Sequence, residues 1–163
     1  MKYGHQKYNT LKIILLFGLL VVFGACNRNV VYSTYIDLPP TGWMKDSVYT
    51  FEIDVTDTAA TYELDLLLRN TDSFESQNLW LFITRLQNGQ PWKCDTLNIF
   101  IADEMGQWLG SGVGNIHNIT VPYKGQLRFA AAGTYTYSIA HAMRCDTLQG
   151  ITHVGLQLLR LDE

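Results

Sequence analysis

Between Ser47 and Val55 the chain alternates, with Phe51, Ile53 and Val55 set against Glu52 and Asp54. A strand turns successive side chains to opposite faces, so this run suits a strand buried on one side and wet on the other, whereas a helix would scatter the same residues around its circumference. The rhythm returns at 62–68, where Leu64, Leu66 and Leu68 share one side and Glu63 and Asp65 the other. Runs at 30–35, 79–86, 97–101, 116–121, 127–131, 135–141 and 154–161 continue the series. Residues with turn chemistry stand between them: Asp37-Leu38-Pro39-Pro40-Thr41-Gly42, Asn70-Thr71-Asp72-Ser73, Asn88-Gly89, Gly110-Ser111-Gly112, Lys124-Gly125 and Ala132-Gly133. Only 107–109 and 140–149 leave room for a helical turn, and neither sustains an apolar face. Eight to nine short strands at fairly even spacing predict an all-β fold, an antiparallel β-sandwich of jelly-roll-like form.

The N-terminus follows a different logic. Lys2, Lys7 and Lys12 precede an apolar run at 13–23, small Gly24 and Ala25 follow, and no acid occurs before Cys26. A basic region, about a dozen apolar residues and a small-residue site are the parts of a secretory signal. A spanning helix needs roughly 20 apolar residues, more than this run supplies. Because Cys26 follows the small pair directly, the site resembles a bacterial lipobox, in which the cysteine is acylated and becomes the first residue of the mature protein. Phe23 departs from the small or aliphatic residue usual three places before that cysteine. The expected organisation is therefore a lipoprotein signal peptide at 1–25, a lipidated segment with a first short strand at 26–46, and the β-sandwich domain at 47–163. A chain of 163 residues is long enough for one core and not for two. After Ala25 it carries nine basic and fifteen acidic residues, a net charge of about −6. That balance, without clustered Lys or Arg, excludes a nucleic-acid surface.

Side chains able to do chemistry are few and scattered. His117, His141 and His153 lie far apart in sequence, with no Cys-x-x-Cys beside them, so neither metal nor cofactor is expected. Asp103-Glu104 is an adjacent acid pair, but its neighbours Met105-Gly106 suit a solvated loop better than paired acid and base. Gly110-Ser111-Gly112-Val113-Gly114 departs from the dinucleotide fingerprint and from the serine-nucleophile elbow in spacing, which leaves a mobile loop. Trp80, Trp92 and Trp108 raise an alternative, a carbohydrate-binding module whose exposed rings stack on sugar; in a sandwich, aromatic rings more often fill the core. Cys94 and Cys145 sit in matching surroundings, Lys93-Cys94-Asp95-Thr96-Leu97 and Arg144-Cys145-Asp146-Thr147-Leu148. Outside the cytoplasm they either form a bridge or remain two reduced thiols.

Several segments carry a joint likeness. A lipobox, then Val31-Tyr32-Ser33, Asp37-Leu38-Pro39-Pro40, Trp43 and the strand Tyr49-Thr50-Phe51-Glu52-Ile53 are followed by Asn78-Leu79-Trp80-Leu81-Phe82-Ile83 and Asp95-Thr96-Leu97. The stretch Asp103-Glu104-Met105-Gly106-Gln107-Trp108-Leu109-Gly110-Ser111-Gly112 and the pair Gly155-Leu156 complete the set. Together they resemble the GldH family of gliding-motility lipoproteins of Bacteroidetes, over nearly the whole chain from 26 to 161. The resemblance implies an outer-membrane lipoprotein, held by membrane lipid through an acylated Cys26, that serves surface gliding and the envelope machinery of type IX secretion. It implies protein partners, no catalytic activity and no small-molecule substrate. No residue role carries over; Asp103, Trp108, Gly110, Gly112 and Gly114 are the candidate partner-contact loop. Asn27-Arg28-Asn29 lacks the acids that follow the cysteine in surface-exposed lipoproteins of this group, which favours a periplasm-facing address. Asp followed by a hydroxyl residue and an apolar one looks like the O-glycosylation acceptor of exported Bacteroidetes proteins, and nominates Ser47, Thr58, Thr96 and Thr147.

Overall fold

The computed structural model describes residues 30–87 and 90–161. Among these residues ten strands occur in chain order: β1 (Val30–Asp37), β2 (Trp43–Met44), β3 (Tyr49–Val55), β4 (Thr61–Thr71), β5 (Asn78–Gln87), β6 (Gln90–Phe100), β7 (Ile116–Leu127), β8 (Gly133–His141), β9 (Thr147–Leu148) and β10 (Ile151–Leu161). No helix occurs among the described residues. One sheet has the order β1-β10-β4-β7 and a second the order β3-β8-β5-β6, while β2 and β9 form a small ribbon of their own. Every pairing is antiparallel. The pairs β5·β6, β4·β7, β3·β8 and β1·β10 nest one inside the next, as in a long hairpin folded back on itself. Wrapping that hairpin brings β10 beside β4 and β8 beside β5, which is the jelly-roll winding expected from the strand rhythm.

The alternation foreseen for 47–55 is what the core uses, and Leu64, Leu66 and Leu68 face it as expected; Asp65, expected on the wet face, is instead buried along with Leu67, because β4 is an inner strand flanked by β10 and β7. Leu64, Leu66 and Leu68 of β4, with Val154, Leu156 and Leu158 of β10, face Phe51 and Ile53 of β3, Leu79, Leu81 and Ile83 of β5, and Ile139 of β8; all are buried. Burying each such side chain contributes roughly 1.5–3 kcal/mol relative to leaving it in water. The ribbon closes one end of this core. Trp43 is fully buried there, donates its Nε1 hydrogen to the Ser47 carbonyl at 3.0 Å, and meets Tyr49 and His141 edge to face.

Departures from the sequence expectation have physical causes. Residues 127–131 are not a strand, and Lys124-Gly125 is not a turn: β7 runs through both to Leu127. The register against β4 shifts there, and Gln126 takes a positive φ of 50°, so a bulge absorbs the extra length. Phe129 then leaves the sheet to plug the core's other end, between Tyr62 at 5.5 Å and Tyr135 at 4.5 Å. Strand β6 begins at Gln90, well before 97, and its residues up to Cys94 are exposed. A strand segment with no buried face has no period to display. Neither 107–109 nor 140–149 holds a helical turn. The strand expected in the 26–46 segment is β1, hydrogen-bonded to β10 along Val30–Asp37, so the sandwich includes it. The signal at 1–25, Cys26 and the Asn88-Gly89 turn lie outside the described residues.

The sandwich has two distinct ends. Val30, Thr61, Leu127 and Leu161 mark one; Asp37, Thr71, Ile116 and Ile151 mark the other, where the β6–β7 connection also emerges. Along the open side, Asp95 ties the edge of β6 to the edge of β7: its Oδ2 accepts from the Tyr123 hydroxyl at 2.8 Å and from Lys124 Nζ at 2.8 Å. Those two hydrogen bonds, chiefly the one from Lys124, hold the Asp95 carboxyl below the usual carboxylate range.

Candidate functional site

The β6–β7 connection, residues 101–115, is built on two turns. In the first, Asp103 folds the chain by accepting at Oδ1 the backbone N–H of Met105 (2.9 Å) and of Gln107 (2.8 Å). Gly106 completes that turn in the left-handed region at φ 78°. Leu109 N–H reaches the Ile101 carbonyl at 2.8 Å, and Ala102 bridges to Trp108. In the second turn, Ser111 and Asn118 exchange both backbone hydrogen bonds, at 2.9 and 2.7 Å. Gly110 and Gly112 pass so close to the backbone of Asn118 and Ile116 that an added Cβ would overlap it. Glycine is required there by contact rather than by mobility.

A side chain from another connection fixes the loop to the sandwich. Asp72 Oδ1, on the β4–β5 link, accepts from Trp108 Nε1 at 3.0 Å and from His117 Nε2 at 2.8 Å. The Trp108 and His117 rings stack, with centroids 5.4 Å apart and an interplanar angle of 29°. One carboxylate thus holds two rings face to face. The loop's apolar side chains are in water: Met105 is 86% exposed and Val113 90%, with Leu109 also exposed. A groove of about 410 Å³ runs beside the loop, lined by Phe74, Gln77, Ala102, Asp103 and Trp108 among others. Asp103, Trp108, Gly110, Gly112 and Gly114 therefore build one structure, in which Asp103, Trp108 and two of the glycines are framework and the intervening Met105, Leu109 and Val113 are its exposed surface.

The histidines do not converge. His117 pairs with Asp72, and His153 with Asp37 at 3.0 Å and Arg69 at 3.2 Å. His141 is buried beneath Trp43. Burial lowers the His141 pKa, against the pull of the Trp43 backbone and with the charge of Lys45 adding to the shift. Burial and then Arg69 lower that of His153, against the pull of Asp37. Among the described residues no group of three His, Cys, Asp or Glu side chains is arranged to hold a metal.

The tryptophans separate as well. Trp80 stands on the outer face of the β3-β8-β5-β6 sheet, Trp92 lies against the Arg85 guanidinium at the end of β6, and Trp108 is held by Asp72. Cys94 and Cys145 are both free and exposed. Cys94 lies level with Thr84 and, across β5, with Ser138, while Cys145 follows Ser138 by seven residues towards the opposite end of the sheet. Of the nominated acceptors, Thr58, Thr96 and Thr147 are exposed and Ser47 is half-buried. At Asp57-Thr58 the carboxylate performs turn chemistry, accepting from the N–H groups of Ala59 and Ala60. Sequence reasoning passed over Asp72, read only as part of a turn. Its two partners lie 36 and 45 residues away, so no local pattern points to it.

The model of the GldH lipoprotein family matches residues 30–158. The chain belongs to the GldH lipoprotein family. It is 31% identical over 158 residues to the gliding motility lipoprotein GldH homolog of Christiangramia forsetii, covering 92% of this chain and 96% of that protein. To the gliding motility lipoprotein GldH of Flavobacterium johnsoniae it is 30% identical over 156 residues, covering 91% and 96%. Among solved structures, an insecticidal delta-endotoxin of Bacillus thuringiensis aligns with a TM-score of 0.38 at 10% identity, over 69% of this chain and 18% of the toxin. The family match spans both the Asp103–Gly112 stretch and the Asp72 that anchors it, so the GldH likeness read from scattered segments holds for the chain as a whole. Membership makes this a gliding-motility-related lipoprotein, and neither GldH relative is named for an enzymatic activity.

Proposed function

We propose that the chain is an outer-membrane lipoprotein, anchored by acyl chains on Cys26 and facing the periplasm, that serves the gliding and type IX secretion-associated envelope machinery as an accessory through protein contacts made by the β6–β7 loop. The observation that carries this reading is the position of the exposed apolar loop. Cys26 and Val30 are four residues apart, a reach of at most ~14 Å, so an acylated Cys26 keeps the Val30 end of the sandwich next to lipid. Strand β10 has eleven residues and spans roughly 33 Å, so Met105 and Val113 stand a full strand length from that end. Exposed apolar groups held that far from the anchor do not serve to insert into the same membrane. Their carboxylate-fixed framework presents them in one shape, which suits docking to a protein. Lipid attachment itself contributes about 0.8 kcal/mol per buried methylene, enough for several chains to hold the domain without a spanning helix.

Cross-linking in native envelopes followed by co-purification tests the reading. The wild-type chain is expected to recover defined envelope proteins, and Met105→Asp with Val113→Asp to lose them while still fractionating with membrane. If no envelope partner is recovered, or the double variant recovers the same set, the loop is not the contact surface.

A further inference from the structure

The outer face of the β3-β8-β5-β6 sheet carries aromatic rings that the core does not use. Trp80 and Phe82, two residues apart on β5, and Phe100 on β6 are 41%, 43% and 57% exposed. Register places Trp80 opposite Asn98, Phe82 opposite Thr96 and Asn78 opposite Phe100, so the three rings and both amides share one face. Asn78 Nδ2 donates to Asn98 Oδ1 at 2.6 Å, which orients the two amides beside Trp80. The backbone under the indole is fixed: Trp80 N–H points at Met143 Sδ (3.4 Å), and Ala142 N–H donates to the Trp80 carbonyl (2.7 Å). Beside the ring lies a groove of about 500 Å³ lined by Asn78, Trp80, Ala142, Met143 and Arg144. Arg144 makes no hydrogen bond or ion pair among the described residues, although the chain as a whole is acidic.

We infer that this groove binds an acidic saccharide. A part-exposed indole on the outer face of a sheet can offer its ring to the C–H groups of a pyranose, while the amides of Asn78 and Asn98 suit its hydroxyls. Arg144, a cation without a partner among the described residues, complements a carboxylate or phosphate on the sugar by bidentate hydrogen bonding. The groove lies at the Phe100 end, level with His141, so it is far from the Val30 end and a bilayer on that side does not fill it. This surface is separate from the β6–β7 loop, and the two readings stand or fall independently.

Calorimetric titration of the full chain, purified in detergent from a host that leaves Thr96 unmodified, tests the inference with two probes: oligogalacturonate and the neutral oligogalactose of equal length. The expected result is binding of the acidic oligomer, weakened by salt, and weaker binding of the neutral one. Trp80→Ala should reduce affinity for both on the order of tenfold, with Trp80→Phe retaining most of it because a ring remains. Arg144→Gln should cost roughly tenfold for the acidic oligomer and leave the neutral one nearly unchanged. A melting curve on each variant shows that the fold survives. Failure of both probes to bind at millimolar concentration overturns the inference, as does an unaltered affinity in Trp80→Ala. Sedimentation showing a dimer that dissociates in Phe82→Ser would instead assign the face to a second copy of the chain.

Discussion

At the scale of single residues, the buried titratable groups set how stability responds to pH. His141 is buried with its pKa below 6.5, and His153 shifts the same way. The unfolded chain then binds protons that the folded chain refuses, so stability is full above about pH 6.5 and falls as the pH drops below it. His141→Leu should flatten the part of that slope owed to His141, as read by urea midpoints across pH 5 to 7. Asp65 behaves in the opposite sense. It is buried on β4 with Oδ1 lacking a partner, and burial, then Glu63, raises its pKa. Its contribution is present at acid pH and lost as pH rises through the shifted value, so Asp65→Asn should stabilise the protein at neutral pH by about 1 kcal/mol. A midpoint that does not rise would mean that the carboxylate has a partner in solution. Gly150 is a third case, with φ 82° and no room for a Cβ against the Phe74 backbone. Gly150→Ala should cost more than the ~1 kcal/mol typical of a strained positive φ, because a steric clash adds to it.

At the scale of elements, the sandwich depends on how its open side is tied. Asp95 joins β6 to β7 through Tyr123 and Lys124, and burial with the Asp95 hydrogen bond drives the Tyr123 hydroxyl far above its ordinary pKa. Because the folded-state pKa of Asp95 is depressed, its stabilisation is present above about pH 4 and lost as pH falls through the folded value. Asp95→Asn should cost roughly 1–2 kcal/mol at pH 7, and the difference from wild type should vanish in acid. The thiols give a second prediction at this scale. Cys94 is level with Ser138 while Cys145 follows in the β8–β9 connection, and both are free. Both should alkylate fully without reductant, and a mass lacking both adducts would reveal a bridge. Strand β6 also explains where sequence reading ran short: exposed from Gln90 to Cys94, it carries no alternation there, yet pairs with β5 along its whole length. The ribbon strands Trp43–Met44 and Thr147–Leu148 have too few residues to show any period.

At the scale of the whole molecule, the jelly roll separates two ends and leaves one broad face in water. Cys26→Ala should release the chain from membrane or leave its signal unprocessed, as read by fractionation and mass; an unchanged, membrane-bound and processed product would contradict lipid anchoring. What the sequence alone determined was the class of fold and the alternating part of the core, because alternation along Phe51, Ile53 and Val55 or Leu64, Leu66 and Leu68 is a local property of the chain. It also carried the family likeness, which rests on residue identities. Which distant residues meet was decided by tertiary structure. Asp72 holding Trp108 and His117, Trp80 and Phe82 sharing a face with Phe100, and the exposed loop standing opposite the Val30 end all follow from strand winding and register. Register arises from pairings between segments tens of residues apart, whose energies are summed over whole strands, so no short stretch of sequence encodes it.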